Sequence, residues 1–159
     1  MFNGEIYDKR RKALADGIDD GLIFLMGNSQ VPMNYPSNWL HFRQDSNFLY
    51  YCGLDYPDLN LIIDSNSGES TLFADDLTVQ DIVWEGERTS VSKMAKTAGI
   101  QNILPSKELS SYLLKSNSIH YLPMYREDQE RTLQKLLNGS QSLSLIHISE
   151  PTRPRLISY

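Results

Sequence analysis

What this chain lacks narrows its reading first. It has one cysteine, Cys52, in 159 residues, so no internal disulfide can form and a reducing compartment fits. No apolar run approaches the ~20 residues that a membrane-spanning helix needs. The opening Met1-Phe2-Asn3-Gly4-Glu5 has no basic stretch leading into an apolar core, so no secretory leader is expected and the chain reads as cytoplasmic. Positive charge is the minority sign, with 15 Lys and Arg against 20 Asp and Glu and a net charge of −5. The only basic run, Lys9-Arg10-Arg11-Lys12, is flanked by Asp8 and Asp16 and reads as a solvated helix face. Neither a nucleic acid nor an anionic membrane is therefore an expected partner.

Signatures of chemistry are missing too. There is no G-x-x-x-x-G-K-[ST] phosphate loop, no G-x-G-x-x-G and no G-x-S-x-G elbow. His41, His120 and His147 lie far apart, and none has an H-x-x-x-H partner. His120 reads as a core or edge histidine on a strand. Asp75-Asp76 could hold a cation, but adjacent strand residues point to opposite faces, so helix capping or a turn before Thr78 is the expectation. Cys52 sits in an apolar run, which argues against a reactive thiolate. Glu85-Gly86-Glu87 puts two carboxylates near Trp84, with nothing to show that they flank a substrate. A small hydrolase using Asp75, Asp76 and His120 stays open as an alternative.

What is present suits one domain with a real core, at 40% hydrophobic and 22% charged residues. Residues Gly4 to Ala15 read as a helix, with Ile6, Arg10, Ala13 and Leu14 on one side and Gly17 as its stop. Leu22-Ile23-Phe24-Leu25-Met26 is an apolar run before Gly27, the pattern of a strand covered on both faces. Pro32 and Pro36 make Ser29 to Asn38 a loop. Leu59 to Asp64 and Thr71 to Ala74 read as strands joined by the hairpin loop Ser65-Asn66-Ser67-Gly68. Thr78 can cap a short helix through Trp84. A helix from Ser90 to Ala98 closes at Gly99 before a strand at Ile100 to Leu104. Ser106 then caps a helix with Leu109, Leu113 and Leu114 on its apolar side. A strand at Ile119 to Leu122 and an amphipathic helix from Arg126 to Leu137 follow. The alternation predicts an α/β fold with a mixed sheet flanked by helices.

One stretch organises the rest: His41-Phe42-Arg43-Gln44-Asp45-Ser46-Asn47-Phe48-Leu49-Tyr50-Tyr51-Cys52-Gly53-Leu54. Asp45 or Ser46 can accept hydrogen bonds from the first free N–H groups of a helical turn. Gly53 sits where such a turn would end in a left-handed residue. Phe48, Leu49, Tyr51 and Cys52 share one face at the i, i+3, i+4 spacing. The physical reading is a short, capped, buried turn, with Arg43 and Gln44 just ahead of it.

The wording of Phe42 to Leu54 also resembles the signature of the aminopeptidase P N-terminal domain, found ahead of the catalytic domain in Xaa-Pro aminopeptidases and their prolidase and creatinase relatives. Arg10-Arg11, Gly21-Leu22-Ile23-Phe24-Leu25, Asp75-Asp76 and Ile82-Val83-Trp84-Glu85-Gly86 fall in the expected order around it. The resemblance implies a creatinase/prolidase-like N-terminal domain over 1–139, with Arg43, Gln44, Asp45, Ser46, Phe48, Leu49, Tyr51 and Gly53 as its structural signature. Arg43 is expected to donate to loop carbonyls. Such enzymes cut the bond between an N-terminal residue and a following proline. They use two divalent metals, usually manganese, held by two Asp, one His and two Glu of a C-terminal pita-bread domain. None of those ligands is expected in this chain, so the resemblance implies no catalytic residue and no cofactor here.

The implied partners are that catalytic domain, further copies in a homo-oligomer, and peptides with proline second. The implied role is domain packing, subunit contact and shaping of the active-site entrance. Trp84 matches a tryptophan that in relatives approaches a neighbouring subunit's substrate pocket, where an indole can stack on a proline ring. A tryptophan anchoring its own helix in the core is the alternative. Asn34-Tyr35-Pro36-Ser37-Asn38 departs from relatives, which often carry Asp-Asn after Asn-Tyr-Pro. Residues 140–159 fall outside the pattern. Ser140 to Ser144 is linker-like, Leu145 to Ile148 could pass for a strand, and Ser144 to Arg153 looks like a translated sequencing-adapter tail, unstructured or artefactual. A free-standing binding or oligomerisation module remains the rival from another class.

Overall fold

A computed structural model describes residues 3–35, 38–78, 82–83, 86 and 89–137, and the backbone of 143–145. Its centre is β1 (Leu22–Met26), the apolar run after the first helix. β1 pairs antiparallel with β2 (Asn60–Asp64) and parallel with β5 (Ile119–Tyr121). β3 (Ser70–Phe73) lies antiparallel to β2 and carries β4 (Asn102–Leu104) on its outer edge. With β6 (Leu143–Leu145) beyond β5, the six-stranded mixed sheet runs β4-β3-β2-β1-β5-β6.

Strand alternation sends the core residues to two layers. Ile23, Leu25, Leu61, Ile63 and Leu72 meet α1 (Gly4–Asp16), α2 (Ser46–Cys52) and α3 (Val91–Thr97), through Ala15, Phe48, Cys52, Met94 and Ala95. Leu22, Phe24, Ile62, Phe73 and Ile119 meet α4 (Leu109–Leu113) and α5 (Glu127–Leu137), through Leu109, Leu113, Leu133 and Leu137. The expected α/β fold with a mixed, helix-flanked sheet is the fold observed.

Several local expectations are corrected. α1 buries Tyr7, Arg11 and Ala15, while Ile6 is exposed, so the helix is rotated from the face that Ile6 and Arg10 suggested. β4 starts at Asn102 rather than Ile100, because Ile100 still serves α3. Its N–H reaches back to the Ala95 carbonyl at 2.8 Å across Gly99, which is left-handed at φ 67°. Ser106 is not a cap: it opens a 3-10 turn over Ser106–Glu108, and α4 is too short to turn Leu114 inward. The hairpin at Ser65 to Gly68 stands as expected, with the Asp64 carboxylate accepting from Asn66 N–H at 2.8 Å and Gly68 at φ 71°. Within 140–159, Leu143–Leu145 form a strand, and the rest of the expected strand, 146–148, lies outside the described residues. The parallel outer edge of β5 is open to a Leu-Ser-Leu stretch, so three residues of the expected tail belong to the sheet.

Candidate functional site

The organising turn forms as its residue types dictate. Asp45 is the N-cap of α2, and one carboxylate oxygen accepts from Asn47 and Phe48 N–H, both at 2.9 Å. Ser46 is the first helical residue. Gly53 ends the helix at φ 68°, and its N–H donates to the Leu49 carbonyl at 2.8 Å. A side chain at Gly53 would be strained by that φ and would also collide with the Tyr7 ring. Phe48, Tyr51 and Cys52 are buried, whereas Leu49 is only half-buried.

Ahead of the turn, Gln44 and not Arg43 is the buried polar group. Gln44 Oε1 accepts from Asn28 N–H at 2.6 Å and from Asp45 N–H at 2.9 Å, while Nε2 donates to the Tyr56 carbonyl at 2.7 Å. Asn28 extends the junction. Its Nδ2 donates to the Arg43 carbonyl at 2.8 Å, and its Oδ1 accepts from Gln129 Nε2 at 2.6 Å. The Arg43 side chain is exposed, so its expected role as donor is replaced by that of its carbonyl as acceptor. The junction ties the exit of β1, the start of α2, the entry to β2 and the start of α5.

Arg11 is the residue that reading the sequence missed. The basic run was expected on a solvated face, yet Arg11 is fully buried. Its Nη1 donates to the carbonyls of Tyr51 at 2.9 Å and Ala98 at 3.0 Å, its Nη2 to Gly99 O at 3.0 Å, and its Nε to Ser70 Oγ at 3.0 Å. Those carbonyls belong to the C-terminal ends of α2 and α3, where orphan acceptors and the helix dipole both favour a cation. Burial pulls the guanidinium below its ordinary pKa, and Asp8, 3.8 Å away, works against that pull. Arg10 supports the same helix end from outside, with Nη1 donating to Tyr50 O at 2.9 Å and its guanidinium 4.1 Å from the Tyr50 ring centroid.

Cys52 faces this cluster and is inert. Burial pushes its thiol up to about 12, against the weaker pull of Arg11. The sign of the consequence follows from linkage. An unfolded thiol loses its proton near 9 and the folded one near 12, so stability is fully present below pH 9 and falls as pH rises from 9 to 12. Each unit in that window costs about 1.4 kcal/mol. Burial also raises Tyr51, with the same sign. The urea-derived stability advantage of the parent over Cys52→Ala should therefore shrink by roughly 2 kcal/mol between pH 8 and pH 10.5. Parallel pH curves for the two proteins would overturn this.

The acidic pair divides between two elements. Asp76 Oδ1 accepts from Val91 N–H at 2.7 Å, capping α3, and Asp75 Oδ1 accepts from Ser106 N–H at 3.1 Å. Capping was expected, but before Thr78 rather than across these distances. The two aspartates line a cleft of about 210 Å³ with Tyr56, Asp58 and Thr89. Asp58 is held left-handed at φ 61°, and Tyr56 Oη lies 3.2 Å from Thr89 Oγ1. His120 is far from this cleft in role: its Nε2 lies 3.2 Å from Asp20 O and 3.3 Å from Ser118 Oγ. Among the described residues, no group of three or more His, Cys, Asp or Glu side chains could hold a metal. No helix among them is long and apolar enough to cross a membrane. Trp84, Glu85, Glu87, Pro36, Ser37 and residues 146–159 lie outside the described residues.

The geometry is that of a rigid polar joint beneath a set of loops. The family model for the aminopeptidase P N-terminal domain matches residues 7–121. A probable Xaa-Pro aminopeptidase of Ajellomyces dermatitidis is 28% identical over 141 residues, 89% of this chain and 24% of that protein. One from Talaromyces stipitatus is 31% identical over 93 residues, 58% of this chain and 18% of that protein. The solved aminopeptidase PepP of Pseudomonas aeruginosa shares the fold at a TM-score of 0.76, with 20% identity over 91% of this chain and 37% of its own. The low-pH form of Escherichia coli aminopeptidase P does so at 0.74, with 16% identity over 91% of this chain and 37% of its own. The chain thus spans about a quarter or less of these curated relatives' length.

Proposed function

Because the chain belongs to the aminopeptidase P N-terminal domain family, we propose that it is the non-catalytic N-terminal domain of a metal-dependent Xaa-Pro aminopeptidase. In this reading the parent enzyme releases the N-terminal residue that precedes proline. The domain packs against a C-terminal catalytic domain, contributes to a homo-oligomer and shapes the active-site entrance. The observation that carries it is the match over 7–121, in a chain that spans only 37% of the solved aminopeptidases it resembles.

The metals such an enzyme requires, manganese in this proposal, do not fit the residues present. Among the described residues no ligand cluster exists, and Asp75 and Asp76 are engaged by backbone N–H groups of separate elements. What this chain supplies is a scaffold, with capped helix ends and a fixed loop junction that hold surfaces in place. A cytoplasmic location belongs to the same proposal, as does Trp84 beside the substrate of a neighbouring subunit. In a complete enzyme, Trp84→Ala should then weaken use of Xaa-Pro peptides while leaving the stability of this domain nearly unchanged.

The purified chain should not cleave a Xaa-Pro peptide, with or without added manganese. The check is product release from such a peptide by chromatography. Turnover that survives rigorous removal of contaminating peptidases would show that this domain carries chemistry of its own.

A further inference from the structure

Gly4, the first residue of α1, lies against the turn that follows α3. A Cβ there would stand 2.9 Å from the Gly99 nitrogen and 3.1 Å from the Thr97 carbonyl oxygen, so only glycine fits. Gly99 is bound by the same contact, since a Cβ on it would meet Gly4 O at 2.8 Å, and its own carbonyl accepts from Arg11. The packing of α1 beside the Arg11 cluster therefore fixes glycine at position 4, directly after Asn3. Asparagine followed by glycine is the pair most open to ring closure, because no Cβ shields the attacking backbone nitrogen. The Asn3 side chain is exposed and makes no cap bond. Its Nδ2 donates only to Glu5 Oε2, at a long 3.4 Å. Gly4 N–H, ahead of every intrahelical acceptor, donates to no group among the described residues. Closure needs a turn about the Asn3 Cα–C bond, which stands at ψ 145°. Asn3 O and Gly4 N share one peptide plane, so that turn leaves the 3.0 Å bond from Ile6 N–H to Asn3 O in place.

We propose that Asn3 is a site of spontaneous deamidation in the folded protein, with water as the co-reactant. Gly4 N gives its proton to solvent and attacks Asn3 Cγ. The Cγ–Nδ2 bond breaks, ammonia leaves, and a five-membered succinimide joins residues 3 and 4. Water then opens either C–N bond of the imide, leaving aspartate or isoaspartate. Nothing is oxidised or reduced, and one neutral amide becomes one carboxylate. Other asparagines are held away from this path. Asn66 Nδ2 donates to Asp20 Oδ1 at 2.6 Å, and the nitrogen after it, Ser67 N, donates to Asp64 Oδ1 at 3.2 Å. The nitrogen after Asn47 is Phe48 N, committed to the Asp45 carboxylate at 2.9 Å. Asn28 is held at both atoms of its amide. The fold tolerates the product at Asn3. Gly4 stays on Gly99, and the new carboxylate stands beside the free N–H groups of the first turn of α1, which favour it.

The test ages the purified full chain, folded in mildly alkaline buffer, beside a synthetic peptide of residues 1–9. Trypsin releases the same segment from the aged chain at Lys9, apart from the second Asn-Gly pair at Asn138-Gly139. Mass spectrometry follows the exchange of ammonia for water, and a protein isoaspartyl methyltransferase labels the isoaspartate. Asn3 should lose its amide at least about tenfold faster than Asn66, whose following serine carries the Cβ that glycine lacks. Its rate should lie within about threefold of that in the free peptide, since no native contact has to open first. The label should appear on residues 1–9 of the parent and be absent from the Asn3→Ser chain, and the urea midpoint of the aged parent should not fall. Protection of Asn3 by more than about tenfold relative to the free peptide overturns the proposal, because the fold then blocks the ring. A urea midpoint that falls in step with conversion also overturns it, by showing that the ring forms at the expense of the contact between Gly4 and Gly99.

Discussion

Arg11→Met should cost about 3–5 kcal/mol of unfolding free energy, although Arg11 sits inside a run of four basic residues on a surface helix. Methionine keeps most of the apolar stem and removes the donors. The carbonyls of Tyr51, Ala98 and Gly99 then lose their partner, and each buried acceptor left unmade costs about 1–3 kcal/mol. Arg11→Lys should recover little. One ammonium cannot reproduce a planar fork that serves two helix ends and Ser70. The contrast is Lys12→Met, one residue on. Lys12 pairs with Asp8 at 2.8 Å but is largely exposed, so water screens the pair and about 0.5 kcal/mol or less is expected. Urea melts of the three variants at pH 7 decide this. An Arg11→Met protein within about 1 kcal/mol of the parent would mean that water replaces the guanidinium and that the cluster does not hold the helix ends.

The difference between Arg11 and Lys12 also marks where the sequence stops being legible. Local signals read correctly: the Asp45 cap and Gly53 stop of α2, the apolar run of β1, and the Asp64 to Gly68 hairpin each involve partners within a few residues. Arg11 has its partners 40, 87 and 88 residues away, so nothing near it announces burial. The same holds for Asp76, which caps a helix 15 residues on, and for Gln44, whose amide joins Asn28 to Tyr56. Ile100 misled for the opposite reason. Its β-branched side chain suits a strand, but its N–H is taken by the end of α3. Polar side chains that serve distant backbone groups look like surface until the topology brings those groups to them. The candidate site consists of such groups, so its chemistry was less legible than the fold around it.

Phe48→Ala, in the one stretch where local and distant signals agree, should also cost about 3–5 kcal/mol. Phe48 is fully buried in the layer formed by Ile23, Leu25, Leu61 and Ile63 against α1, α2 and α3. α2 has only seven residues, too few to be stable by propensity, so its place depends on what that side chain buries. If α2 loosens, the Tyr51 carbonyl moves away from Arg11 and the Leu49 carbonyl from Gly53, so the loss couples to the Arg11 cluster. The double variant Phe48→Ala, Arg11→Met should therefore lose less than the sum of the two single losses. A domain of this size holds roughly 5–15 kcal/mol in all, so Phe48→Ala alone can leave it barely folded at 37 °C. Tyr50→Ala is the control, since Tyr50 is exposed and its ring meets the Arg10 guanidinium and the edge-on Tyr51 ring, about 1–2 kcal/mol together. Denaturant midpoints for the four proteins give both answers. A neutral Phe48→Ala would show that the turn is carried by its caps and not by the core. Strictly additive losses would show that the aromatic anchor and the buried guanidinium hold separate parts of the domain.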